Sequence, residues 1–135
     1  MITREDAIYA AAIIDGEGCI SLGSINRGRN HALRVTVSMR GEPVIEWLRT
    51  TFGGHRSMDR AQHVWTLRSN ECREFLVATA PFMKLKARQA EIGLAFLETL
   101  EERSPLDRRA FSNVTRLLQQ ALVDLMTAEK DLWRE

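Results

Sequence analysis

Asp15 and Glu17 are the residues of this chain whose type and spacing best suit chemistry. They close the stretch from Tyr9 to Ile20, where small and apolar side chains give way abruptly to two acids alternating with Gly16 and Gly18. The apolar run requires a buried segment. The acids then stand at its mouth, where the two glycines permit the positive φ of a sharp turn. A buried element that delivers a carboxylate to a fixed point is what a divalent-metal centre needs, because such ions take oxygen donors. The plain alternative is a buried helix closed by a polar turn.

The rest of the chain must position those acids. Its 135 residues make one domain, and 44% hydrophobic residues suffice for an ordinary core. No apolar run approaches a membrane span and no signal peptide opens the chain. Cys19 and Cys72 are isolated, without CxxC or zinc-type spacing, and read as free thiols, which fits a cytoplasmic location. Net charge is only +1, but its distribution is polarised. Residues 23–90 hold 12 Lys/Arg, ten of them arginine, against 5 Asp/Glu, and both flanks are acidic. A basic middle can follow a phosphate backbone, and arginine is the better reader of phosphate and guanine. A solvated arginine surface is the bland counterpart.

Periodicity supplies the elements. Thr3 caps a helix over about 4–14, with Glu5 and Asp6 in its first turn. Ala7, Ala10, Ala11 and Ala12 give it a small-sided surface, suited to close packing against a copy of itself or into its own core. Strands are expected over 19–25 and 31–40. In the second, Leu33, Val35, Val37 and Met39 alternate with Arg34, Thr36, Ser38 and Arg40. A face of arginines and hydroxyls without an acid suits the major groove. A helix from Pro43 to Phe52, a hairpin over 55–58 and 63–68, and a helix over 71–80 capped by Asn70 follow. Another helix runs to about Glu102. Ser104-Pro105-Leu106-Asp107 starts a last one, with Val114, Leu117, Leu118, Ala121, Leu122, Leu125 and Leu132 as its apolar face.

Residues 10–18, ending Asp15-Gly16-Glu17-Gly18, resemble the signature of the LAGLIDADG homing endonucleases. Pro81-Phe82-Met83-Lys84-Leu85-Lys86 resembles the Pro-Phe-Leu-Lys-Leu-Lys segment of the same family, and the element order matches a single-motif subunit. The resemblance covers residues 4–103. It implies an α+β fold of order αββαββα with a four-stranded antiparallel DNA-binding sheet. Residues 1–103 would be the endonuclease core and 104–135 a helical extension of the same domain. It further implies that Glu17 and the Gly16 carbonyl hold Mg²⁺ (Mn²⁺ or Ca²⁺ substituting for binding). Lys86 would stabilise charge near the scissile phosphate, and Asp15 would sit in the catalytic centre with chiefly a structural role. Where the family commonly has Gln and Arg at the end of the second strand, this chain offers Met39 or Arg40.

One Glu17 is too little for a two-metal hydrolysis. The resemblance therefore implies a homodimer packed through Ala7, Ala10, Ala11 and Ala12, acting on a pseudo-palindromic double-stranded DNA site as an intron- or intein-mobility endonuclease. Arg27, Arg29, Asn30, Arg34, Thr36, Ser38, Arg40, Arg56, Thr66 and Arg68 are the expected DNA contacts. The competing readings are a non-catalytic nucleic-acid binder, either an RNA maturase or a transcription regulator, and a protein-interaction module using the C-terminal helix.

Overall fold

The computed structural model describes residues 1–25, 30–101 and 112–133. Helix α1 spans Arg4–Glu17 and passes directly into β1, Gly18–Ile25. Then come β2 (Asn30–Met39), α2 (Glu42–Phe52), β3 (His55–Asp59), β4 (Gln62–Arg68), α3 (Glu71–Thr79), a 3₁₀ turn over Ala80–Phe82, α4 (Ala87–Thr99) and α5 (Asn113–Asp131). The fold is α+β, with one antiparallel sheet in the order β1-β2-β4-β3 and helices against one face. The expected Arg27 and Arg29 contacts and the expected helix start at Ser104 lie outside the described residues.

Alternation decides which face is buried. Ile20 and Leu22 of β1, Leu33, Val35 and Val37 of β2, and Trp65 and Leu67 of β4 form the core side with Ile14, Ile45, Leu48, Phe75 and Phe96. Burying each such side chain contributes about 1.5–3 kcal/mol. Between α2, α3 and β4 the rings of Trp47, Phe52, Phe75 and Trp65 meet largely edge to face, and Trp65 Nε1 donates to the Gly53 carbonyl at 2.7 Å. Gly53 and Gly54 hold φ of 79° and 91°, which favours glycine at the end of α2.

Three expectations are corrected. Helix α1 does not stop at Ile14 in a positive-φ turn: it continues through Glu17, and Gly18 has an extended φ of −94°. Gly18 is needed for closeness instead, since a Cβ there would lie 2.7 Å from the Ile14 Cα. Asn70 makes no side-chain cap on α3, and the Glu71 carboxylate instead accepts from the Arg68 N–H at 3.0 Å. Helix α5 has a cap at Ser112, whose hydroxyl accepts from the Thr115 N–H. It buries Thr115, Gln119, Leu122 and Met126, so that of the expected apolar face only Leu122 is buried. Gln119 turns inward because its amide finds the Thr99 hydroxyl of α4 at 2.9 Å, which leaves Val114, Leu117, Leu118, Leu125 and Leu132 exposed.

Candidate active centre and nucleic-acid interface

The end of α1 is assembled by two segments far apart in sequence. Asp15 accepts three backbone N–H bonds: Oδ2 takes Lys84 N at 2.6 Å and Leu85 N at 3.2 Å, and Oδ1 takes Lys86 N at 3.0 Å. In return the Lys86 ammonium donates to the carbonyls of Ile14, at 2.9 Å, and Gly18. It thereby adds a second hydrogen bond to the Ile14 carbonyl, which already accepts from the Gly18 N–H, and places positive charge at the negative end of the helix dipole. Burial pushes the Lys86 ammonium below the ordinary lysine value. Cys19, Asp15 and Glu17 oppose that push, and Lys130 adds to it.

Glu17 is different. It is exposed, and no described residue forms a hydrogen bond or ion pair with its carboxylate. The two acids therefore divide into one fully engaged in holding residues 84–86 and one available to a ligand. Among the described residues no group of three or more His, Cys, Asp or Glu converges. The donor set, a free carboxylate beside the exposed Gly16, is all oxygen and suits a hard divalent ion.

Beyond Glu17 the outward face of the sheet begins. Across β1, β2 and β4, Cys19 stands opposite Thr36 and Thr36 opposite Thr66; in the next row Ser21 stands opposite Arg34 and Arg34 opposite Arg68. Both arginines are exposed, and neither forms a salt bridge with a described carboxylate. Like charges directly opposite on neighbouring strands repel, so this pair suits an anion laid across the sheet. Ser38 is half-buried on the same alternation, Arg40 is exposed in the bend after β2, and the half-buried Asn30 opens β2.

Arg56 departs from the expectation. It lies on the helix-facing side of β3, its guanidinium bonded to the Glu46 carboxylate, 3.5 Å from Glu42 and 3.3 Å from His63. Alternation puts it on the face opposite Arg34, and its charge is neutralised there. The alanine interface is corrected too. Ala7, Ala10 and Ala11 are buried inside the subunit's own core, at 3, 0 and 0% exposure, because that side of α1 faces the sheet and α3. Of the four, only Ala12 is exposed, on the side that carries Ile8, Tyr9 and Gly16.

The contribution of α5 carries no local signal along the chain. Lys130 approaches Cys19 Sγ at 3.4 Å, and a cavity of about 270 Å³ at the end of α1 is lined by Gly18, Cys19, Leu85, Lys86, Gln89, Lys130 and Trp133. Met39 packs against the core and brings no polar group here.

No family model and no curated protein matches the chain by sequence. Solved structures do match in fold. The homing endonuclease I-CvuI, seen in complex with its target in the presence of Ca, gives a TM-score of 0.80 at 15% identity over 93% of this chain and 82% of its own. The archaeal intron-encoded homing endonuclease I-Vdi141I, complexed with DNA, gives 0.75 at 19% identity over 93% and 84%. The LAGLIDADG homing endonuclease I-GzeII, also in complex with a DNA target, gives 0.69 at 13% identity, with 89% of this chain covering 43% of that one. The chain has the LAGLIDADG homing endonuclease fold.

Proposed function

We propose that this protein is a site-specific, metal-dependent endonuclease of double-stranded DNA, acting as a homodimer on a pseudo-palindromic site. The observation that carries the reading is the division of labour at the end of α1. Asp15 locks the Lys84–Lys86 backbone, while Glu17, bonded by no described residue, stands at the margin of a sheet face where Arg34 and Arg68 form no salt bridge with a described carboxylate. The complexes of similar fold with DNA support the substrate class.

The residues have separable tasks. Arg34 and Arg68 take phosphates or guanine edges, and Thr36, Ser38 and Thr66 add hydroxyl contacts. Lys86 uses two of its three donors on the Ile14 and Gly18 carbonyls and directs the third toward a phosphate oxygen or a water. Glu17 and the Gly16 carbonyl would hold a divalent ion, with Mg²⁺ the natural choice. When bound, that ion supplies Lewis-acid polarisation and charge neutralisation at the phosphate. A second copy provides the second Glu17. The dimer contact runs along Ile8, Ala12 and Gly16: these are exposed, and a Cβ at Gly16 meets nothing within 4 Å, which leaves room for a partner backbone.

Duplex binding measured over a salt series, with and without Mg²⁺, tests the reading. Steep salt dependence with metal-dependent strand cutting is the expected result. Sequence-specific retention without cutting would favour the maturase or regulator reading instead.

A further inference from the structure

The cavity at the end of α1 is lined by Lys86 and Lys130, beside Gln89 and Trp133; among the described residues no carboxylate lines it, although Asp15 and Glu17 are near enough to favour the charged form of Lys86. Two cations in one small cavity repel unless an anion lies between or over them. The contact that Lys130 makes with Cys19 does not supply one, since a thiol sulfur is a weak acceptor. Cys19 is exposed on the outward sheet face opposite Thr36, so Lys130 stands at the margin of that face. Met39 of β2 is turned into the core and cannot provide a cation at this end.

We propose that Lys130 of α5 is a second phosphate-binding cation of this centre, donating with Lys86 to the non-bridging oxygens of one DNA backbone phosphodiester. The inference rests on the endonuclease reading and adds to it a residue from the C-terminal helix. No bond is made or broken by Lys130. It binds a monoanionic diester by charge-assisted hydrogen bonds, and its position requires α5 to remain docked on α4.

Affinity for duplex DNA is measured across a salt series for the wild type, Lys130→Met, Lys130→Gln, Lys130→Arg and an Arg116→Met control on the exposed side of α5. Thermal unfolding is followed in parallel. Both neutral variants are expected to flatten the log–log salt slope by roughly 0.9 for each phosphate that is no longer neutralised. Arg restores the slope, the control leaves it unchanged, and the unfolding midpoints stay together. Neutral variants that keep the wild-type slope overturn the proposal, as does weaker binding with an unchanged slope, which marks a structural role. Wild-type binding that lacks salt dependence would instead bring down the DNA reading itself.

Discussion

Three backbone N–H groups converge on the carboxylate of Asp15, and no described residue bonds that of Glu17. Substituting the two acids should therefore separate folding from chemistry. Asp15→Asn weakens bonds to three backbone amides and is expected to cost about 1–3 kcal/mol in urea unfolding. Glu17→Gln should stay within about 0.5 kcal/mol of the wild type while abolishing cutting. Equal loss of stability in both would refute the division. At Gly18 the argument is steric. Gly18→Ala forces a Cβ to 2.7 Å from the Ile14 Cα, and about 1–3 kcal/mol of overpacking cost is expected in the denaturation midpoint. The identity of these residues was legible in the chain, but the reason for Gly18 was not. Close approach and a tight turn call for the same amino acid, and only the path of the chain tells them apart.

At the scale of elements, the strands were legible because period-two alternation is a local property: Leu33, Val35 and Val37 are buried while Arg34 is exposed. Arg56 was misplaced because its short strand lacks a clear apolar face, and its partner Glu46 comes from the preceding helix. That ion-pair group gives a pH prediction. Hydrogen bonds from Arg49, then Arg56, hold the Glu46 carboxyl down at about 2, against an ordinary value of 4.5. A carboxyl lowered in the folded state stabilises fully above its unfolded value, and the contribution disappears as pH falls toward about 2. The stability difference between wild type and Glu46→Gln, from urea midpoints, should thus shrink through that window; a difference independent of pH would contradict the assignment. Helix α5 was legible as amphipathic but not in its orientation, since the Gln119–Thr99 hydrogen bond that turns it is long-range.

At the scale of the whole molecule, the proposed two-metal hydrolysis calls for a second Glu17 from a partner subunit. The alanine row suggested an interface from composition alone, yet Ala7, Ala10 and Ala11 fill the subunit's own core and only the Ile8, Ala12 and Gly16 side remains outward. Gly16→Leu should give folded monomers in sedimentation, whereas Ala11→Leu should destabilise the subunit by overpacking, by about 1–3 kcal/mol. An intact dimer in the Gly16 variant would move the interface elsewhere.

The measurement closest to the central claim is an in vitro cleavage selection on a randomised duplex library with Mg²⁺, run beside Glu17→Gln. The account predicts cuts at a pseudo-palindromic site by the wild-type protein and none by the variant, with sequence-specific binding kept by both. Cleavage that survives in Glu17→Gln, or its absence from the wild type despite specific binding, would contradict it.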